Sequence, residues 1–355
     1  VKIRSEYHLR RKTGPPPRQP SPRPDHGHVG IIGCGNFAFS AVAYYLQAQF
    51  GRRVIRAVMD SDVHRAASMC RSYGAAYFTA DASEIFGDPR IDLVFVVSNH
   101  GSHAAYATAA LRAGKHVHLE KPPATSEPQL RELCEALATS GKKLRLGFNR
   151  SSSDLGVRAH DALLALPGPA VMSWFVFAHD IPPGHWYLAP GEGGRVAGNV
   201  CHWIEFVYRT VSPESRYPIT IIPARADVAD DNMNVTYRFG DGTIASITFA
   251  SRGESAEGIR ERFTAQKAGL FLTLDDFETL EICKGFDKRV WRNRRRDHGH
   301  RSMIAESYRM ARPGADAAPA DVAYVWEIGE LILKTIEALE RQTELTVEAY
   351  GAAKR

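Results

Sequence analysis

Cysteine is scarce. The five cysteines, at positions 34, 70, 134, 201 and 283 of 355 residues, are odd in number and widely spaced. No CxxC pair occurs, which excludes a zinc knuckle and a dithiol redox centre. Free thiols fit a reducing compartment, so a cytoplasmic location is expected. Long apolar runs are missing too: none approaches the ~20 residues that a membrane helix needs, and no membrane partner is expected. The N-terminus is basic and proline-rich and lacks the apolar stretch of a secretory signal. The net charge of +5 is small and unevenly placed. Residues 1–25 carry seven Lys/Arg against two acids, and residues 288–301, "KRVWRNRRRDHGHR", carry seven against one. Two local basic segments do not make a nucleic-acid-binding protein. The second reads as a solvated loop or the flank of an anionic pocket, with nucleic acid a poorer alternative.

What remains is ordinary globular composition, 44% hydrophobic and 24% charged, in a chain long enough for about two domains. "TGPPPRQPSPRPDHG" (13–27) reads as a linker, because proline fixes φ and lacks an amide donor. Residues 1–11 alternate weakly, which fits an edge strand or disorder. From residue 28 strands and helices alternate: "HVGIIGCG", "NFAFSAVAYYLQAQF", "VIRAVMD", "DVHRAASMCRSYG", "AYFTA", "DASEIFGD", "IDLVFVVS", "SHAAYATAALRAG", "HVHLE", "SEPQLRELCEALATSG" and "KLRLGFN". This rhythm predicts a doubly wound parallel sheet of Rossmann type, α/β, over 28–150. After a helix at 154–166 the chain becomes β-rich. "YRFGDGTIASITF" is a hairpin with an Asp-Gly turn. An α/β domain with an open, mostly antiparallel sheet is expected over 151–342, closed by an amphipathic helix at 321–342 and followed by a tail, 343–355.

"GIIGCGNFA" supplies Gly33-x-Gly35-x-x-Ala38 between a strand and a helix. The first glycine permits the tight turn, the second lets the backbone approach a pyrophosphate, and the small third position packs helix on sheet. Asp60 ends the second strand, 22 residues beyond Ala38, near the ~20 expected of the acid that holds the ribose hydroxyls. A carboxylate there accepts from a free 2′-hydroxyl and repels a 2′-phosphate. NAD is therefore expected over NADP, although Arg65 stands nearby. "HLEKPP" (118–123) places Glu120 and Lys121 at the end of a strand, where such sheets bind ligands. Pro122 disfavours helical backbone at Lys121 and aims its amine outward; a cis Lys-Pro bond is the minority expectation, about 5–6%. A partly desolvated lysine beside a positively charged nicotinamide exchanges a proton near neutral pH more readily than a solvated one.

"GIIGCGNFA", "SHAAYATAALRAGKHVHLEKPPA" and "LGFNR" together resemble the oxidoreductase family named for glucose–fructose oxidoreductase, inositol dehydrogenase and MocA. "HDIPPGHWYLAPGEGGRVAGNVCHWIEF", "NHGSHA" and "DHGHRSMIAES" are similar to a branch found in polysaccharide and sugar-nucleotide clusters. The resemblance spans roughly 28–342. It implies a Rossmann domain binding a nicotinamide dinucleotide and a C-terminal sheet that makes a homodimer or homotetramer. It implies cofactor contacts from Gly33, Gly35, Asn36, Phe37, Ala38, Asp60, Ser98, Asn99, His103, Glu120, Lys121 and Asn149, and proton transfer by Lys121 with His202, the two converging over the pyridine ring.

Substrate contacts are expected from Arg150, His179, Asp180, His185, Trp186, Arg195 and Asn199: Trp186 for stacking on a sugar face, Arg195 for a carboxylate or phosphate fork. Three departures from the family stand out. Many members carry an aspartate where this chain has Gly198, and the branch has an acid where it has Asn199. "FNRRFSP" becomes "FNRSSSD", and "RVNAGYIP" becomes "FVFAHDIP"; both read as an altered substrate pocket. The His-x-His pairs at 26/28, 116/118 and 298/300 lack a third ligand at suitable spacing, so no metal is expected. The expected activity is hydride transfer between nicotinamide and a sugar, amino sugar or sugar nucleotide. An imine or ketone reductase is the second enzyme reading, and a non-catalytic dinucleotide sensor or scaffold is the reading from another class.

Overall fold

The structure is a computed structural model. It describes residues 6, 8–9, 14, 17–20, 27–227, 231–256, 258–312, 314 and 319–351. Most of the proline-rich segment, and His26 of the first His-x-His pair, lie outside the described residues. Two compact units are present: 1–147 with 301–325, and 148–300 with 326–355.

The first unit contains six parallel strands, β1 (Val29–Ile32), β2 (Ile55–Met59), β3 (Tyr77–Thr79), β4 (Leu93–Val96), β5 (His116–Leu119) and β6 (Leu144–Leu146), in the order β3-β2-β1-β4-β5-β6. The order reverses between β1 and β4, the crevice where such sheets take ligands. The connecting helices are α1 (Ala43–Phe50), α2 (Val63–Tyr73), α3 (Ala82–Gly87), α4 (His100–Arg112) and α5 (Glu127–Ser140). Their ends follow local chemistry. Asp62 accepts from the amides of His64 and Arg65 at the start of α2, and Gly74 closes it at φ 67°. Asp81 caps α3 through the Ser83 amide. A later helix, α8 (His300–Met310), completes this core: Met303, Ile304 and Met310 are fully buried, and Tyr308 stacks on Phe50 at 3.8 Å.

At the N-terminal end, the described residues Glu6, His8 and Leu9 are helical. This corrects the edge-strand expectation: His8 is buried by stacking on Phe39 at 4.2 Å and by bonding the Cys34 carbonyl at 2.7 Å. Within the linker, Gln19 grips the edge of β3 with both ends of its amide, donating to the Phe78 carbonyl and accepting from the Phe78 amide.

The second unit opens with α6 (Asp154–Leu164), capped by Ser153. Its nine-stranded sheet contains β7 (Ala170–His179), β8 (Ile219–Arg225), β9 (Met233–Arg238), β10 (Ile244–Gly253), β11 (Arg260–Lys267), β12 (Leu270–Asp275), β13 (Thr279–Lys284), β14 (Asp287–Arg292) and β15 (Leu345–Val347). The order is β14-β13-β12-β11-β7-β10-β9-β8-β15, antiparallel except for the β7–β10 pair. β9 and β10 form the expected hairpin, with Gly242 at φ 87° in the turn. Strand period 2 sorts β7: Ala170, Met172, Trp174, Val176 and Ala178 are buried, while Val171, Phe175 and Phe177 are exposed. Trp174 packs against Phe206 and Phe263 at 5.1 and 4.9 Å. Truncating such a side chain to Ala costs about 3–5 kcal/mol. Helices α7 (Cys201–Arg209) and α9 (Val322–Arg341) supply further buried apolar residues. The basic segment is not all loop: 287–292 is β14, paired with β13, and Lys288 bonds Glu281 at 2.8 Å.

Candidate functional site

The glycine loop leaves β1 at Ile32. Gly33 has φ 93°, and a Cβ there would lie 2.4 Å from the Val97 carbonyl oxygen, so only glycine fits. At Gly35 an added Cβ would meet nothing within 4 Å. The backbone is open at that point, which suits close approach by a pyrophosphate. Asn36 and Phe37 then lead into a π-helical turn, Ala38–Val42, with Ala38 fully buried against the sheet. Such turns recur at functional sites.

Asp60 is nearly buried and tied to this loop: Oδ2 accepts from the Cys34 amide at 2.8 Å and Oδ1 from the Asp62 amide at 2.9 Å. The loop, the helix after it and the acid at the end of β2 form a set that fits a dinucleotide.

At the ends of β4 and β5 the residues are wired together. Ser102 Oγ lies 2.8 Å from Ser98 Oγ and 2.7 Å from Asn99 Oδ1, so both candidates are held by the first turn of α4. His103 is buried between two carbonyls, Pro122 at 2.9 Å from Nδ1 and Ser98 at 3.1 Å from Nε2. It thereby ties the end of β4 to the segment after β5, and burial pushes its pKa down. Lys121 is half-buried and its bond to Pro122 is cis, the minority form.

Glu120 sits in a buried polar chain. His118, fully buried, places Nε2 at 3.1 Å from Glu120 Oε1 and Nδ1 at 2.7 Å from Ser307 Oγ. Ser307 Oγ donates to the Met303 carbonyl at 2.9 Å. His118 thus bridges Ser307 and Glu120 through its two ring nitrogens. The carboxylate also packs on Gly147, where a Cβ would come within 2.7 Å of it. His116 takes a separate partner, the Lys143 amide, so the 116/118 pair does not converge.

In the second unit a π-helical turn, Val196–Val200, runs directly into α7 and presents Asn199 and His202, both half-buried. The His202 ring meets Phe148 edge-on at 6.2 Å. Asn199 Oδ1 is buried without a hydrogen-bond partner. Several expected ligand contacts hold the unit itself. Asn149 donates to the His298 carbonyl at 2.7 Å. Arg150 is buried, bonds Glu261 at 2.6 Å and lies over the Trp203 ring at 4.6 Å. Burial works to raise the Glu261 carboxyl, but Arg150, followed by His298, holds it at about 2.

Arg195 is buried too, donating to the His179 carbonyl at 2.9 Å and covering Phe249 at 4.9 Å, with Asp231 at 3.6 Å. Ser151, which stands where the family often has a bulkier residue, bonds Glu205, and Ser153 caps α6, so both are part of the packing. Exposed or half-exposed positions remain at His179, Asp180, His185 and Trp186. His185 accepts from the Tyr187 amide, and burial with the Arg195 charge lowers its pKa.

Glu261, Asp276 and His298 group their donor atoms within 4.8 Å of one another. Arg150 bonds Glu261, and Arg260 and Arg296 bond Asp276, so guanidinium groups already neutralise both carboxylates. Ser307, Glu261 and Tyr187 were missed by sequence reasoning. For Ser307 no local signal exists; His118 and Glu120, two apart on a strand, share a face and pointed toward a polar cluster.

Residues 28–148 match the family described as oxidoreductase family, NAD-binding Rossmann fold. Inositol 2-dehydrogenase 3 of Saccharopolyspora erythraea is 34% identical over 141 residues, 39% of this chain and 41% of that protein. D-glucoside 3-dehydrogenase of Escherichia coli is 34% identical over 121 residues, 34% of either chain. The chain thus matches about two-fifths or less of these curated relatives' length. Among solved structures, a levoglucosan dehydrogenase in complex with NADH superposes with a TM-score of 0.74 at 15% identity, covering 92% of this chain and 100% of that one. A probable dehydrogenase from Thermotoga maritima gives 0.73 at 18% identity, covering 90% and 98%. At these identities the likeness shows the fold.

Proposed function

We propose, from the premise that this chain belongs through residues 28–148 to the oxidoreductase family of NAD-binding Rossmann fold, that it is an NAD-dependent dehydrogenase or reductase acting on a carbinol or ketone of a sugar-like substrate. The observation that carries this reading is the joint presence of the Gly33–Gly35 cradle, Asp60 tied to it, and Glu120-Lys121 at the end of β5. NAD, when bound, supplies the hydride acceptor. Asp60 favours a free 2′-hydroxyl. Lys121 carries the hydroxyl proton, with His202 the second proton-carrying group, and Glu120 stays held by His118. Trp186, 43% exposed, offers a flat face to a sugar ring. Sugar, amino sugar and sugar nucleotide all fit this chemistry.

We read the apolar sheet face of the second unit as an oligomer surface. Val171, Phe175, Phe177 and Ile244 on the neighbouring strands β7 and β10, and Phe271 on β12 beyond β11, are each more than 40% exposed, a patch that monomers rarely leave bare. It supports a homodimer or homotetramer.

The sensor reading draws on Gly198 and Asn199, neither of which can take up a proton. One experiment separates it. NAD reduction is followed by absorbance across a panel of sugars, polyols and sugar nucleotides. Turnover that Lys121→Ala reduces at least 100-fold supports the enzyme. Tight NAD binding with no turnover on any panel member supports the sensor.

A further inference from the structure

Position 198 looks from sequence like a lost side chain. The structure gives it an occupant. A Cβ on Gly198 would lie 2.3, 2.4 and 2.8 Å from Cε2, Cδ2 and Cζ of Tyr187. Glycine is therefore what admits the Tyr187 ring against the π-helical turn. Cζ bears the hydroxyl, so the phenolic end of the ring lies over the helix at this point.

The neighbours of that phenol are suited to a ligand. Residues three or four apart on a helix are neighbours, so position 198 and Asn199 lie close to His202. Asn199 Oδ1 is a buried acceptor with no hydrogen-bond partner, a group that calls for a ligand or water to satisfy it. The phenol of Tyr187 acts electrostatically on buried Arg195. His185 and Trp186 meet the Tyr187 ring at 4.6 and 4.4 Å, so the phenol closes an aromatic wall whose Trp186 face is exposed.

We propose that Tyr187 is a further substrate-contacting residue: its hydroxyl hydrogen-bonds the reacting hydroxyl of a polyol or sugar beside His202, and Gly198 admits its ring. This rests on the dehydrogenase reading above. A phenol both donates and accepts, so it orients the substrate oxygen while its proton leaves for another group.

The test compares Tyr187→Phe, which keeps the ring and removes the oxygen, with Gly198→Ala, which forces the ring away. Measured are kcat, KM, NAD affinity and melting temperature on the best substrate of the panel. The expected result is a 10- to 100-fold loss of kcat/KM in Tyr187→Phe, with melting temperature and NAD affinity unchanged, and a comparable or larger loss in Gly198→Ala. Wild-type turnover together with a Tyr187→Phe enzyme equal to wild type overturns the proposal and leaves the dehydrogenase reading standing. A wild type that turns over no panel member fails that reading and takes the proposal with it.

Discussion

His118→Leu probes the buried chain from Ser307 to Glu120. Leucine roughly conserves volume and keeps apolar contact with Phe95, on which the imidazole stacks at 4.6 Å. What it removes is both polar contacts of a residue with no exposed surface. Glu120 Oε1 is then left facing apolar atoms. Removing the partner of a buried carboxylate costs about 3–5 kcal/mol, a large share of the ~5–15 kcal/mol that stabilises a typical domain. Removing the charge as well relieves that cost. In His118→Leu/Glu120→Gln the two changes should therefore be non-additive by about 1–3 kcal/mol, with the double variant more stable than the sum of the single losses. Urea unfolding followed by circular dichroism on the four proteins of the cycle measures this. Additivity within ~0.5 kcal/mol would refute the reasoning, because it would mean that His118 and Glu120 are not coupled.

Three further outcomes are expected. Asp60→Ala should weaken NAD binding about 10- to 100-fold, and NADP binding less, in a fluorescence titration; equal losses for both cofactors would deny Asp60 its discriminating role. Burial, with Arg209 next in effect, pushes His160 down to about 3 from an ordinary 6.5. Between those values the unfolded chain takes up a proton that the folded chain refuses, so the stability contributed by neutral His160 is full above pH 6.5 and falls as pH drops. His160→Gln should reduce the loss of stability between pH 7 and 5 by about 2 kcal/mol, and an unchanged loss counts against the assignment. Phe175→Glu with Phe177→Glu should lower the mass in sedimentation velocity to that of one chain; an unaltered assembly would exclude this face as its contact.

The features legible in the sequence are those set by local sterics. Asp81 and Gly74 act through their own neighbours, at the start of "DASEIFGD" and the end of "DVHRAASMCRSYG". The β9–β10 hairpin was legible for the same reason. Residues whose partners are remote were read less well. Arg150 and Arg195 were expected as substrate contacts, and their partners inside the second unit, Glu261 and the His179 carbonyl, left no mark in the sequence near them. Gly198 read as a missing acid because the ring that fills its place comes from another segment. β8, β13 and β15 were passed over, being short or only partly buried, so that no clean alternation marks them.

The return of 301–325 to the first unit determines how the chain divides. A fragment ending near residue 150 would keep all six parallel strands and the glycine loop, yet it would lack Met303, Ile304 and Met310, which fill that core, and Ser307, which anchors His118. Cutting where the strand–helix rhythm stops would expose apolar surface and strand a polar side chain together. The nucleotide-binding half can be isolated intact only by splicing residues 301–325 onto it.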